Sequence, residues 1–251
     1  MSVDTFRDIC DLDWLPGTAL PSDGVIHCKT EYVASLFDVM RGNGGRYVVV
    51  THRSDLPFTT ELAREIPDNV HVFARNCTAT HPRLDVCPIG LAERSWPHGN
   101  WSAVVEAMRE PRGADGLLYA GFALGTNLPE RSEAARVCCE LKGTVEVFPD
   151  TRNWPRCYVD YLRRIRRHRF TLSPAGNGVD CHRTFEALYL QATPICRRCR
   201  CTEMLARVFP IMLVDEWRDL TRERLLAWRE PQWDRAALKI WWWRRRFEEA
   251  L

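Results

Sequence analysis

The feature that most constrains this chain is a regular alternation of short apolar runs with amphipathic helical patterns. The runs begin near residue 24 and form two series, which the polar, glycine-containing segment 110–116 separates. The first series predicts strands at residues 25–28, 47–51, 70–74 and 86–89, and helices at 31–40 and 60–65. The second predicts strands at residues 117–124, 145–148, 170–173, 194–196 and 211–214, and helices at 129–141, 155–167 and 181–190. Strands that alternate with helices favour parallel sheets, so the sequence predicts an α/β fold.

The length of 251 residues allows either one large core or two modest ones, since domains usually hold about 100 to 150 residues. The two series predict two doubly wound, Rossmann-like domains that face a cleft. We assign residues 1–112 to the N-terminal domain and residues 113–230 to the C-terminal domain. Residues 231–251 carry apolar side chains at helical spacing and predict a terminal helix that packs across the domains. Its tryptophans and arginines would also suit a membrane interface, an alternative that stays open.

The charges of the chain nearly cancel, with 35 basic and 33 acidic residues. A global positive field of the kind that holds a protein on nucleic acid is therefore absent from the sequence. No apolar run approaches the roughly 20 residues that span a bilayer, and the first residues do not form a signal peptide. We expect a soluble, cytoplasmic protein.

The cysteines and acidic pairs of the sequence give little reason to expect a metal. The eleven cysteines are scattered, which is typical of reduced thiols in a cytosolic protein. Cys196, Cys199 and Cys201 form one dense group, but the second pair of ligands that a structural zinc site needs does not accompany them. Asp11 and Asp13 match a D-x-D metal motif, and we interpret them as part of a loop.

The most informative segment is Ser173-Pro-Ala-Gly-Asn-Gly-Val-Asp180, which follows a predicted strand and precedes a predicted helix. In a parallel sheet such a loop lies at the carboxyl edge, where ligands collect, and the helix N-terminus offers free N–H groups to an anion. Gly176 and Gly178 let the backbone approach a ligand closely, and Asp180 is expected to cap the helix. The loop therefore predicts a pyrophosphate site.

Three polar residues of the following helix could complete this site. His182 and Glu186 are four positions apart and Arg183 and Glu186 are three apart, so they lie on one helix face. A guanidinium suits a phosphate, and a carboxylate suits the paired hydroxyls of a ribose. The alternative is structural: Asp180 only caps the helix, Arg183 and Glu186 form a surface salt bridge, and the glycines form a turn.

The segment resembles the exostosin-like, family 47 glycosyltransferases, in particular small stand-alone members in algae and large DNA viruses. The matching words are Ser173 to Leu188, Thr193-Pro-Ile and Pro210-Ile-Met-Leu-Val-Asp-Glu-Trp. Upstream words also match in order: Val50-Thr-His-Arg-Ser-Asp, Phe73-Ala-Arg-Asn-Cys, His81-Pro-Arg-Leu, Cys87-Pro-Ile-Gly-Leu and Gly125-Thr-Asn-Leu-Pro-Glu-Arg. The resemblance covers most of residues 45–220. Ala175 and Phe185 depart from it, because the family tends to have a basic residue and a tryptophan there.

The resemblance implies a GT-B fold and an inverting glycosyltransferase that needs no metal or other cofactor. The donor would be a nucleotide sugar, such as UDP-xylose, and the acceptor a glycan or glycoprotein. The alternative is a catalytically inactive carbohydrate- or nucleotide-sugar-binding protein with the same fold. The candidate donor-binding residues lie in the glycine loop and helix and after the first strand of the second series: Thr126, Asn127, Arg131, Ser173, Pro174, Gly176, Asn177, Gly178, Asp180, His182, Arg183 and Glu186.

The general base is expected in the N-terminal domain, at the carboxyl edge of the valine-rich strand. Asp55 and His52 both follow that strand, and Asp55 is the first choice. Alternatively, His52 packs locally and Asp55 caps the next helix. Asn76 and His81, after the third predicted strand, and Gly90, after the fourth, are expected on the acceptor side.

Overall fold

The computed structural model of the protein describes residues 1–148 and 158–251. The predicted helical residues 155–157 lie outside the described residues. The chain divides into two compact units, residues 1–89 with 235–251, and residues 90–234. The first boundary thus lies at residue 90, whereas the sequence placed it at residue 113. The physical reason is that the helix Trp101–Ala107 packs against the helix Tyr158–Arg167 of the second unit.

The first unit contains a parallel sheet, in which the described strands follow one another in chain order. Its strands are β1 (Leu12–Asp13), β2 (Gly24–Cys28), β3 (Tyr47–Thr51), β4 (Val70–Ala74) and β5 (Leu84–Val86). Its α-helices are α1 (Val3–Asp8), α2 (Val33–Arg41), α3 (Thr60–Arg64) and α10 (Ile240–Ala250). The reversal of strand order that characterises a doubly wound sheet is not found among these strands.

The centre of the first unit is formed by β3, whose five residues are all buried. Runs of valine suit such a strand because β-branched side chains pack well on a pleated surface. The helix α10 covers part of this sheet, and the ring of Phe247 lies 4.7 Å from that of Phe73. A short 3-10 helix, Arg235–Leu238, precedes α10 and interrupts the single terminal helix that the sequence predicted.

The segment Asp11-Leu-Asp13 is not simply a loop, and that prediction is wrong in part. Leu12 and Asp13 form β1, which pairs in parallel with β2. Asp13 Oδ1 lies 2.7 Å from Nδ1 of His27, and Asp11 Oδ2 accepts a hydrogen bond from the Val25 N–H at 2.8 Å. Both carboxylates therefore have structural partners on β2.

The second unit contains another parallel sheet, in the order β10-β9-β8-β6-β7 among its described strands. These strands are β6 (Gly116–Ala123), β7 (Thr144–Phe148), β8 (His168–Leu172), β9 (Thr193–Arg197) and β10 (Met212–Val214). The α-helices are α4 (Trp101–Ala107), α5 (Leu128–Glu140), α6 (Tyr158–Arg167), α7 (His182–Tyr189), α8 (Arg200–Ala206) and α9 (Arg222–Ala227). The chain passes from β6 outwards to β7 and then back across β6 to β8, so the strand order reverses between β6 and β8.

The predicted α/β class with two parallel sheets is confirmed. The core of the second unit lies between its sheet and helices and includes Phe122, Phe170, Ile195 and Trp217. Within the described ranges, no helix combines the length and the apolar character that crossing a bilayer requires.

Candidate functional site

The point of reversal between β6 and β8 is the natural place for a ligand in the second unit. The two strands are direct neighbours, and the chain leaves their carboxyl ends towards opposite sides of the sheet. In open α/β sheets, ligands bind at the carboxyl ends of the strands at such a reversal. The loops after β6 and β8 carry most of the predicted donor-binding residues.

The glycine loop after β8 is fixed by hydrogen bonds at both ends. The Ser173 N–H donates to the Ile195 carbonyl at 2.8 Å, and its hydroxyl lies 2.9 Å from that of Thr184. The Gly176 N–H donates to the Gly178 carbonyl at 2.9 Å. The loop thus turns tightly and leaves Asn177 exposed at its tip.

The helix after this loop begins one residue later than predicted. Cys181 is the N-cap of α7, and its Sγ lies 3.5 Å from the Pro174 carbonyl oxygen. Asp180 is buried in front of the cap, so its predicted role as the N-cap is wrong. His182 is the first residue of the helix, and its Nδ1 lies 2.8 Å from the carbonyl oxygen of Gly90. Gly90 was predicted on the acceptor side of the N-terminal domain, but it belongs to the second unit.

Arg131 approaches the glycine loop from α5. Its side chain is buried, and it donates from Nε to the Ala175 carbonyl at 3.0 Å and from Nη1 to the Ala123 carbonyl at 2.6 Å. A Cβ atom at Gly176 would lie 2.6 Å from Nη2 of Arg131 and 3.6 Å from Oγ1 of Thr126. The absence of a side chain at Gly176 therefore makes room for the guanidinium. Asn127 is the N-cap residue of α5.

Arg183 approaches the same place from α7. Its Nε donates to the Gly121 carbonyl at 2.9 Å, and its guanidinium carbon lies 5.1 Å from the centre of the Phe122 ring. Within the described part of the chain, Nη1 of this buried side chain has no hydrogen-bond partner. Burial acts against its charge, but Tyr161, Cys181 and Glu186 outweigh that effect, so the pKa of Arg183 lies above its ordinary value.

Glu186 does not lie on an open helix face, and that part of the prediction is wrong. Its side chain is only 4% exposed. Its two carboxylate oxygens accept hydrogen bonds from Tyr158 at 2.9 Å and from Tyr161 at 2.8 Å. Burial raises the pKa of Glu186, although the bond from Tyr161, the charge of Arg183 and the bond from Tyr158 oppose the shift. The reason for the error is that α6 packs against α7 and covers this side of it.

Two buried arginines meet at this site, and the loop and helix α7 also carry the buried carboxylates of Asp180 and Glu186. Arg131 and Arg183 both lie within 6 Å of the Phe122 ring centre. Among residues 1–148 and 158–251, neither of them forms an ion pair with a carboxylate. Burial lowers the pKa of Arg131, and the charge of Arg183 acts in the same direction. The charge of Glu186 acts on Arg183, and a bound anion would stabilise both guanidinium groups further. The arrangement is suited to binding phosphate.

The sequence analysis did not identify three residues that contribute to this site: Phe122, Tyr158 and Tyr161. Phe122 lies beneath both guanidinium groups, and the two tyrosines hold Glu186. An apolar strand residue and two tyrosines of a helical pattern carry no local signal for such roles. Only the packing of α6 on α7 brings the two tyrosines to the site.

His52 is part of the core of the first unit rather than an accessible base. It is fully buried, its ring stacks on Phe6 with centroids 5.0 Å apart, and Nε2 donates to the Pro88 carbonyl at 3.2 Å. A base must come within hydrogen-bond reach of the proton that it removes. In this position His52 cannot reach the proton of an acceptor. The alternative, that His52 packs locally, describes it better.

Asp55 lies in the loop after β3 and is accessible. Its Oδ1 forms an ion pair with Nη2 of Arg75 at 2.9 Å, and its carbonyl accepts a hydrogen bond from the Asn76 side chain at 3.3 Å. Arg53 and Asn76 have left-handed backbones, with φ of 59° and 48°. Such conformations cost energy outside glycine and are frequent at functional sites. His81 lies further along, where its Nδ1 accepts a hydrogen bond from the Arg83 N–H.

The cysteine group is not assembled into a ligand cluster in the parts of the chain that the structure describes. No three His, Cys, Asp or Glu side chains come together there in a way that could hold a metal ion.

Comparison with models of known protein families gives no match for this sequence, and comparison with curated protein sequences gives none either.

Proposed function

We propose that the chain is a glycosyltransferase that takes a sugar from a nucleotide-sugar donor, such as a UDP-sugar, and transfers it to a glycan. The observation that carries the proposal is the pair of buried arginines at the reversal of strand order. Arg131 and Arg183 come from two different helices, and they share the ring of Phe122. A diphosphate is an anion of the size and charge that such a pair binds bidentately.

The glycine loop and α7 supply the remaining features of a diphosphate site. Because Gly176 has no side chain, the Arg131 guanidinium and the Thr126 hydroxyl can both lie close to the loop backbone. The free N–H groups at the start of α7 add partial positive charge. In the reaction, these groups would stabilise the negative charge on the departing nucleoside diphosphate.

The proposed reaction is a single displacement at the anomeric carbon. A bond forms between an acceptor hydroxyl oxygen and this carbon, and the bond from the carbon to the phosphate oxygen breaks. The electron pair of the broken bond leaves with the nucleoside diphosphate. The acceptor proton passes to a general base, for which Asp55 is the candidate, because His52 is buried.

The test is a calorimetric titration of the protein with UDP, using a matched pair of glycine variants. Gly176→Ala introduces a Cβ atom 2.6 Å from Arg131 Nη2, whereas Gly125→Ala lies in a neighbouring loop where nothing is within 4 Å. We expect Gly176→Ala to lower the affinity for UDP about tenfold or more, since a displaced charge-assisted contact is worth about 1.5 to 3 kcal/mol. Gly125→Ala should bind UDP as the wild type does.

A second measurement separates an enzyme from a binding protein. A panel of nucleotide sugars that includes UDP-xylose is incubated with the protein, and release of the free nucleotide is followed with and without glycan acceptors. Binding without release or transfer for any donor would favour the catalytically inactive alternative. Lack of UDP binding, or equal affinity in both glycine variants, would contradict the proposed site.

A further inference from the structure

Two half-exposed tryptophans lie beside opposite ends of α7. The side chain of Trp96 is 47% exposed, and its ring centre lies 5.2 Å from that of His98, which is 6.5 Å from the ring of His182 at the start of the helix. Trp101 is 46% exposed, and its ring meets Tyr189 at the end of the helix edge-on at 5.2 Å. Trp101 thus contacts one end of α7 and Trp96 is connected to the other end through His98; the helix is about 12 Å long for eight residues.

The loop that carries Trp96 is held in a defined conformation. The Trp96 N–H donates to the Glu93 carbonyl at 2.9 Å, and the Gly99 N–H donates to the Trp96 carbonyl at 2.8 Å. A Cβ atom at Gly99 would lie 1.7 Å from the Glu93 carbonyl oxygen, so only glycine lets the loop close on itself. His98 also packs edge-on against Tyr158, at 6.3 Å. An exposed indole in such a loop is presented to solvent at a fixed place.

We propose that Trp96 and Trp101 bind sugar rings of an extended oligosaccharide acceptor. The proposal rests on the proposed function, because Trp96 is linked through His98 to the end of α7 at which the donor phosphates would lie. The apolar face of a sugar ring packs on an indole, while its hydroxyls need polar neighbours. Glu93 and Ser95, whose side chains lie 3.4 Å apart, and the His98 imidazole supply them here.

The separation of the two indoles favours an oligosaccharide over a nucleobase. A base presents one plane and would engage one ring, whereas two rings at opposite ends of a helix suit a ligand with several units. A protein partner is the other class that must be considered, because Trp101 and Val105 of α4 and its C-cap residue Met108 are exposed. Trp96 lies outside that helix, and its polar neighbours fit a glycan better.

The experiment uses the full chain and measures binding of cellulose-, xylan- and chitin-derived oligosaccharides by saturation-transfer NMR and calorimetry, with and without saturating UDP. Each saccharide is used as the disaccharide and as longer oligomers. The variants are Trp96→Ala, Trp101→Ala and Trp101→Leu, and Trp241→Ala is the matched control, since Trp241 is 55% exposed in the other unit. Trp101→Leu keeps an apolar contact with Tyr189 and removes the aromatic face.

We expect the wild type to bind a longer oligomer more tightly than its disaccharide. Trp96→Ala should weaken all oligomers about three- to tenfold, which is the usual effect of one aromatic contact. Both Trp101 variants should remove the advantage of the longer oligomers, while Trp241→Ala changes nothing. UDP affinity should be the same in all variants, so a failure of the proposed function would appear separately, as absent UDP binding in the wild type.

Three results would overturn the inference. The first is that no oligosaccharide of the panel binds the wild type. The second is that the Trp96 and Trp101 variants bind the oligomers as the control does. The third is a wild-type dimer, seen by sedimentation, that Trp101→Ala dissociates, because the tryptophans would then belong to an interface between two copies of the chain.

Discussion

Arg183 and Glu186 are charged residues three positions apart on α7, and both are buried. Charged side chains are rarely buried unless they are paired or hydrogen-bonded. Glu186 has two tyrosine donors, whereas Nη1 of Arg183 has no partner among the described residues. We infer different roles for them: Arg183 is the ligand contact, and Glu186 is a positioning residue that holds α6 and α7 together near it.

Glu186→Ala is therefore expected to act first on stability. The change leaves two buried tyrosine hydroxyls without their acceptor, and Arg183 without a nearby negative charge. We expect the free energy of unfolding to fall by about 3 kcal/mol in urea titrations. Glu140→Ala is the control, because Glu140 is exposed and, among the residues that the structure describes, forms an ion pair with Arg136 alone. Its effect should stay below about 0.5 kcal/mol. A Glu186→Ala protein that is stable but binds UDP more weakly would show instead that the Glu186 carboxylate contacts the ligand.

At the scale of elements, the strands are what the sequence predicted best. The strands 47–51 and 70–74 have the predicted bounds, because runs of β-branched residues between turn signals fit a buried parallel strand. The helices α1, α4, α8 and α9 and the strand β1 were missed. They are two to seven residues long, which is too short for a helical or strand period to stand out.

The candidate site was predicted as a loop but not as an arrangement of side chains. Gly176 and Gly178 marked the turn after β8, since glycine after a buried strand is a local signal. The burial of Arg183 and Glu186 has no such signal, because α7 is buried at every position from Arg183 to Tyr189. Helical spacing shows which residues share a face, but not that a second helix covers that face.

Buried histidines, among them His27 on β2, give the protein a pH-dependent contribution to stability. Burial lowers the pKa of His27, although the hydrogen bond and charge of Asp13 oppose the shift. Burial also lowers the pKa values of His98 and His168. These imidazoles bind protons in the unfolded chain at about pH 6.5 but resist protonation when folded. The contribution of these neutral imidazoles to the free energy of unfolding is therefore complete above about pH 6.5, and it is lost as the pH falls below that value.

We expect the free energy of unfolding to fall between about pH 7 and pH 5, and His27→Gln to reduce this fall. Urea titrations across that range measure both. Glutamine stays neutral and can still donate to Asp13, so the variant removes the titration and keeps the contact. An unchanged pH dependence in His27→Gln would show that this histidine does not contribute.

At the scale of the whole molecule, the two sheets differ in the order of their described strands. The second sheet reverses between β6 and β8 and has its cationic residues there. The described strands of the first sheet follow in chain order without a reversal. In the loops after β3 and β4 of the first sheet, Asp55 forms an ion pair with Arg75. Arg53 and Asn76 in the same loops have left-handed backbone conformations. Strand order depends on long-range pairing, and for that reason the alternation in the sequence did not reveal it.

If Asp55 of the first unit removes the acceptor proton, binding and turnover should respond separately to its substitution. Asp55→Asn should leave the calorimetric affinity for UDP unchanged and lower turnover about a hundredfold or more, the usual lower range for general base catalysis. The asparagine keeps a carbonyl oxygen for Arg75, so loss of the ion pair alone should cost little stability, since Asp55 is exposed. His52→Ala is the contrasting variant. It removes a buried ring stacked on Phe6 and should lower the melting temperature more than Asp55→Asn does. Near-normal turnover in Asp55→Asn, measured with a donor and an acceptor that the wild type uses, would place the base elsewhere in the chain.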